Sequence, residues 1–464
     1  MYSPLEPFIR PSVQSQFLAR SERLAQGKLL RDKLPRTVHG AWSPPQDRRD
    51  VIDILEASNE GRLPELIPIR YGRMLRSPFT FFRGSAALMA YDLAGLPNTG
   101  IEVQACGDCH LLNFGLFATP ERNLVFDLND FDETHPAPWE WDLKRLVASF
   151  VIAGRDNDLT EEESKSVAIT SVRAYREHLR EYSKMSPLEV WYTRLDIQDI
   201  IAMAPDEGAK KEREQMAKKA RQRVIEYLFP KITSQVGGRY RFVDQPPILF
   251  HIPEEDFQNR VQAALEDYRD SLSEERRVLL DRYRLEDIAI KVVGIGSVGT
   301  RCYITLLFSE ENHPLILQVK EANRSVLEPY TRPCHHDNQG QRVVRGQRLM
   351  QSSSDIFLGW TKGRDGKHFY VRQLRDMKFS VPVEGVSSAQ LHHYAEFCGW
   401  TLARAHAKSG DSATISGYLG KGDKFDLAMG EFALAYADQN EQDYDALVQA
   451  VKAGRVEALI EADL

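Results

Sequence analysis

Two stretches hold side chains in a spacing suited to moving a phosphoryl group: "CGDCHLLNFG" (Cys106–Gly115) and "VFDLNDFDE" (Val125–Glu133). In the first, Asp108, His110 and Asn113 share one short loop. Phosphoryl transfer needs a carboxylate that reaches the acceptor hydroxyl and, a few residues on, an amide oxygen that holds Mg2+. In the second, Asp127, Asp130, Asp132 and Glu133 crowd the end of a β-rich run, where mutual repulsion favours a hard, oxygen-liganded cation. A plain acidic turn before the next helix is the bland alternative for any one of these acids. The same first stretch spells Cys106-x-x-Cys109-His110, a haem-attachment pattern, and its Cys-x-x-Cys suits zinc or dithiol chemistry.

A third stretch, "GIGSVG", sets Gly294, Gly296 and Gly299 around Ser297. The adjoining residues, "TRCYITLLF", are strand-like rather than helical. That disfavours a dinucleotide turn, which opens a helix, and suits a loop whose amides close over nucleotide phosphates. Lys320 then sits inside the next β-rich run, "LILQVKEA". A lone lysine after apolar residues is ordinarily a surface charge; behind a correctly flanked glycine loop it becomes a phosphate ligand candidate.

Positioning these groups takes 464 residues, too many for one ordinary core, so two lobes are expected. The chain is 42% hydrophobic and 27% charged with a net charge of −7, which fits a soluble globular protein and disfavours a nucleic-acid binder. Its most apolar stretch, "LVASFVIAG", is about half a membrane span, and "MYSPLEPFIR" has no secretory pattern, so a cytoplasmic protein without membrane contact is expected. Five cysteines thinly spread make no disulfide framework. Cytosolic placement and the lack of an axial partner weigh against haem. One Cys-x-x-Cys, with "PCHH" (Cys334, His335, His336) as a second cluster, is a thin case for zinc.

Residues 1–97 read as mostly helical, with Ser77 and Pro78 opening a helix that Gly95 ends. Residues 98–284 start with short strands, "NFGLFA" and "NLVFDL" joined at "TPER", before an apolar helix with Asp142 near its start. The charge-alternating "EGAKKEREQMAKKARQRVIEYLF" reads as a solvated helix without a binding role, and "GGRYRFVDQPP" as a loop. Residues 285–376 are β-rich around one helix, "QGQRVVRGQRLMQ", with a hairpin at "GRDG"; residues 377–464 return to helix. The fold class expected is α+β, a small β-rich lobe set in a larger helical one.

The series "CGDCHLLN", "DFDE", "WDLKRL" and "CGWTLARAHA" resembles the motifs of aminoglycoside and choline kinase-type phosphotransferases. Together with "SPFTFFRG" it resembles more closely an uncharacterised bacterial family grouped with the protein-kinase-like superfamily, over most of the chain. The resemblance implies a two-lobed kinase-like fold in circularly permuted order, because here the catalytic loop precedes the glycine loop. It implies Asp108 as catalytic base or hydroxyl-orienting group, Asn113 as a metal ligand, and Asp130 or Asp127 as the second. Lys320 would hold ATP phosphates beneath Gly294, Gly296 and Gly299, and Asp142 would brace the catalytic loop. Cofactors would be ATP or another nucleotide with Mg2+; partners would be that nucleotide and an unknown hydroxyl-bearing acceptor. Two departures stand out. Cys106 replaces the first histidine of the loop motif, and the helix after Lys320 has no acid, leaving Glu328 as the nearest partner for the lysine. These departures keep open adenylyl transfer or a silent, nucleotide-binding pseudokinase.

Overall fold

The acidic and glycine-bearing stretches reach one place because two sheets meet there. The computed structural model describes residues 18–251, 257–374 and 376–460, a mixed α+β fold; the helical reading of residues 1–17 and of the first residues of "EEDFQNRV" lies outside them. Ser77 caps a helix as expected, its Oγ accepting from Thr80 N, with Pro78 in the first turn. That helix stops at Gly84 and a new one runs Ala86–Ala94. Ser85 turns its hydroxyl back onto the Phe82 carbonyl (3.0 Å), the local competition by which serine interrupts a helix.

Strand β1 (Glu102–Ala105) pairs antiparallel with β4 (His135–Pro138), and β2 (Phe114–Ala118) with β3 (Leu124–Leu128) across "TPER". The helix Trp139–Asp156 is buried nearly all round, charged residues included, as its apolar circumference requires. It packs between the helices Glu161–Tyr182 and Lys424–Lys452. The last of these is one continuous helix of 29 residues.

Further departures appear in the middle of the chain. The expected loop "GGRYRFVDQPP" contains β6 (Arg239–Phe242), which pairs with β5 (Thr233–Val236) around Gly237 and Gly238, a hairpin signal that adjacent glycines carry. The charge-alternating segment is two helices, Glu207–Arg221 and Ile225–Ile232, and its face is not wholly solvated: Arg213 is 7% exposed.

The β-rich region forms one antiparallel sheet with β7 (Leu249–Phe250), β8 (Arg284–Lys291), β9 (Cys302–Phe308), β10 (Pro314–Glu321), β11 (Gly359–Lys362) and β12 (His368–Gln373), in spatial order β11-β12-β10-β9-β8-β7. The glycine stretch joins β8 to β9, and the helix Gln339–Met350 lies between β10 and β11 in the chain. Two-residue alternation sorts β10. Leu315, Leu317 and Val319 join the core with Tyr268, Leu272 and Leu280, so Ile316, Gln318 and Lys320 share the opposite face. After β12 the chain runs directly into β13 (Phe379–Ser380), which pairs with β2. That short connection sets the six-stranded sheet against the end of the β2–β3 hairpin. Among the described residues no helix is long and apolar enough to cross a membrane.

Candidate functional site

Between the two sheets lies a cleft of about 300 Å³, lined by Asp130, Gly294, Ser297, Lys320, Arg372 and Lys378, with Phe117 and Asn129 on its hairpin side. Lys320, only 2% exposed, places Nζ 2.6 Å from Asp132 Oδ2 and 3.8 Å from Asp130 Oδ2. Burial opposes its charge, but the two carboxylates outweigh burial and hold its pKa well above the lysine range. Asp132 also accepts from the Tyr370 hydroxyl (2.6 Å). The ion partner of Lys320 is therefore Asp132. Glu328 pairs instead with Arg324 (3.0 Å) and accepts from Cys334 N (3.2 Å), which corrects its assignment as partner of the lysine. The helix that lacks an acid carries buried Arg342, donating to the carbonyls of Asp132 (2.8 Å) and Thr134 (2.5 Å); it grips the acidic loop by its backbone.

Asp130 and Asp127 prove different in kind. The Asp130 side chain is 45% exposed and faces the cleft. Burial raises its pKa, yet Lys320, Arg372 and Lys378 prevail and keep the carboxyl below the usual range. Asp127 is fully buried and consumed: Arg404 Nη2 donates to both its oxygens (2.7 and 2.8 Å), and Ser352 N and Oγ donate as well (2.7 Å each). A carboxylate so saturated has no lone pair to spare for a cation, so of the two only Asp130 is open to one.

The loop "CGDCHLLN" is built around Asp142. Its carboxylate accepts from Cys106 N (2.6 Å) and Gly107 N (2.9 Å), and His406 of "LARAHA" approaches it at 3.2 Å. Asn113 fastens the loop to the acidic run: Oδ1 accepts from Asp130 N (2.7 Å), and Nδ2 donates to Asp130 O (2.9 Å). Asp108 receives Arg145 Nε at 2.8 Å, while His110 Nε2 stands 3.7 Å from its other oxygen. Burial takes His110 down to about 4 although Asp108 pulls the other way, so the imidazole is neutral near pH 7. Arg145 in turn lies 3.9 Å over the Phe82 ring, which is where "SPFTFFRG" meets the loop. Glu133 is spent on Val326 N (2.7 Å).

The glycine stretch divides. Gly294 and Ser297 line the cleft, the Ser297 hydroxyl donating to Val293 O (3.0 Å). Gly299 O accepts from Leu63 N (2.7 Å), and a Cβ on Gly296 would stand 3.2 Å from Arg83 O, so both turn toward the helices before residue 97. Ile295 is buried in the core those helices share.

Sequence reading counts Asp132 among the acids that favour a cation but not as the partner of Lys320, and does not single out Arg372 or Lys378. Asp130 and Asp132 flank Phe131, 1% exposed, in the turn after β3, and both reach Lys320. Nothing local points to Arg372, which reaches the cleft because β12 pairs with β10 in the register Gln318↔Arg372. Arg372 and Lys378 both donate to Asn129 O (3.2 Å each), and among the described residues neither has a carboxylate within ion-pair distance.

Cys106 and Cys109 are 1% and 0% exposed, and burial pushes the Cys109 thiol well above its ordinary range. Among the described residues no group of three or more His, Cys, Asp or Glu side chains is placed to hold a metal ion, so the clusters at Cys106 and Cys334 do not converge on a zinc site. A family model described as "Uncharacterized protein conserved in bacteria (DUF2252)" matches residues 62–450. No curated protein and no solved structure matches the chain.

Proposed function

The chain belongs to the DUF2252 family, and we propose that it is a nucleotide-dependent phosphotransferase whose cleft takes the phosphates of ATP with Mg2+. The observation that carries the reading is a pair of cations without ion partners. Lys320, Arg372 and Lys378 converge on a cleft where Asp132 and Asp130 answer Lys320, while the other two acids of its lining are held elsewhere, Asp355 by Gln373 N and Asp376 by Arg122. Arg372 and Lys378, side by side, suit a polyanion. A glycine loop between two strands, a lysine on the third and a helix after it are the parts of a kinase-type nucleotide lobe, which adds support. Asp130 would hold Mg2+ together with phosphate oxygens, a mode that needs no all-protein cage. That cation would neutralise charge on the transferring group. Asp108 would orient the acceptor hydroxyl, with Arg145 holding the carboxylate and Asp142 the loop.

A silent, nucleotide-binding reading has two observations in its favour. Asp108 is already ion-paired, and both ends of the Asn113 amide are engaged.

Calorimetric titration with ATP and Mg2+ separates these. Saturable, Mg2+-dependent binding that Lys320→Met abolishes is the expected result; absence of binding removes the proposal. Binding without transfer of labelled phosphate to any hydroxyl offered, and indifferent to Asp108→Ala, identifies the silent form.

The affinity should also depend on pH through Lys378. Burial, then the neighbouring Arg372, lowers its pKa to about 7. The ammonium is protonated below that value and loses its charge above it. ATP should therefore bind more weakly at about pH 8.5 than at about pH 6.5, and Lys378→Arg should flatten the dependence. Equal pH profiles for the two proteins would show that Lys378 does not face the phosphates.

A further inference from the structure

A second cavity, about 360 Å³, lies behind the β2–β3 hairpin, on the side away from the cleft. Leu116 and Phe126, a cross-strand pair, form its floor; Ile200, Met216, Val383 and Phe397 wall it. Such a volume is at the small end of ligand pockets. Into this apolar space the helix Glu207–Arg221 sends Arg213, 7% exposed. Its Nη1 donates to Ile200 O (2.5 Å), and its guanidinium lies 5.2 Å from the Phe397 ring. Among the described residues it makes no other hydrogen bond and has no ion pair. The two acids that also line the cavity are committed elsewhere. Asp206 Oδ1 accepts from Ala209 N (2.8 Å), and Glu212 Oε1 accepts from Gln390 Nε2 (2.8 Å). A guanidinium carries five donors in a planar fork, so most of this one's capacity is unused. Burial lowers its pKa, the charges of Glu396, Glu212 and Asp206 hold it up from beyond ion-pair distance, and a bidentate carboxylate is the group its unused donors fit.

We infer that this cavity binds an apolar molecule carrying one carboxylate, with Arg213 clasping the carboxylate and the Leu116–Phe126 floor receiving the hydrocarbon body. The wall is tied to the catalytic loop: the Tyr394 hydroxyl, at the cavity's edge, donates to Leu111 O (2.7 Å) and Phe114 O (3.2 Å). The cavity's own chemistry is independent of the nucleotide reading.

Decanoate, below its micelle concentration, and decanol serve as probes of the full chain, followed by calorimetry and by the methyl resonance of Met216. Decanoate is expected to saturate one site and shift Met216. Arg213→Gln should weaken decanoate by roughly tenfold or more while decanol changes little. Ala209→Phe, which fills the cavity and leaves Arg213 in place, should abolish both. Three results overturn the inference: no saturable decanoate binding, saturation that leaves Met216 unmoved, or an Arg213→Gln protein that loses decanoate and decanol equally. The wild-type measurements decide even where a variant fails to fold.

Discussion

Asp130→Asn is expected to leave the chain folded while ATP turnover in Mg2+ falls by about 10²- to 10³-fold. The fold should survive because the Asp130 side chain is 45% exposed, and asparagine keeps the shape and one acceptor oxygen. Its backbone ties to Asn113 also remain, since they use N and O of the main chain. What disappears is the one carboxylate of the acidic run that lines the cleft, and with it the anchor proposed for Mg2+. Urea unfolding followed by tryptophan fluorescence checks the first half; ATP consumption at saturating Mg2+ checks the second. An Asp130→Asn protein that binds and consumes ATP like the wild type would remove Asp130 from the site.

Arg404→Met should act in the opposite way, on stability first. Arg404 and Asp127 are 3% and 0% exposed, and Arg404 also donates to Met350 O (2.8 Å), so the pair joins β3 to the helix Gln339–Met350 and to the helix Ser388–Ser409. Removing the guanidinium strands a carboxylate where water cannot reach it, at a cost of about 3–5 kcal/mol. The double variant Asp127→Asn with Arg404→Met should lose less than Arg404→Met alone, because no charge is left buried. Unfolding midpoints of the single and double variants measure this. A double variant no more stable than the single one would show that the stranded charge is not what costs. The contrast between Asp127 and Asp130 is also a control for function, since one substitution removes the fold's anchor and the other only the cleft's charge.

The loop "CGDCHLLN" is braced in a way that local patterning anticipates only in part. Asp142 stands near the start of its helix, where a carboxylate meets free amides, and it does meet them, but on the Cys106–Gly107 turn. The helix and the loop are joined through β1 and β4, whose pairing no local signal specifies. The glycine stretch is flanked by strands, as its neighbours in sequence imply, yet only Gly294 and Ser297 face the cleft. Ile295 pins the rest of the turn to the core of the preceding helices.

By itself the sequence determined the parts: a glycine turn between strands, a lysine in the next strand, two acidic stretches, and a helix-rich remainder around a β-rich segment. These are local, set by hydrophobic period, turn chemistry and residue type over a few positions. Only the tertiary structure decided which acid opens to the cleft, which one partners Lys320, and that Arg372 and Lys378 stand beside them. A two-residue period says that a strand has two faces and not which is buried; that choice comes from pairings between residues far apart in the chain, such as β10 with β12 and Asp127 with Arg404.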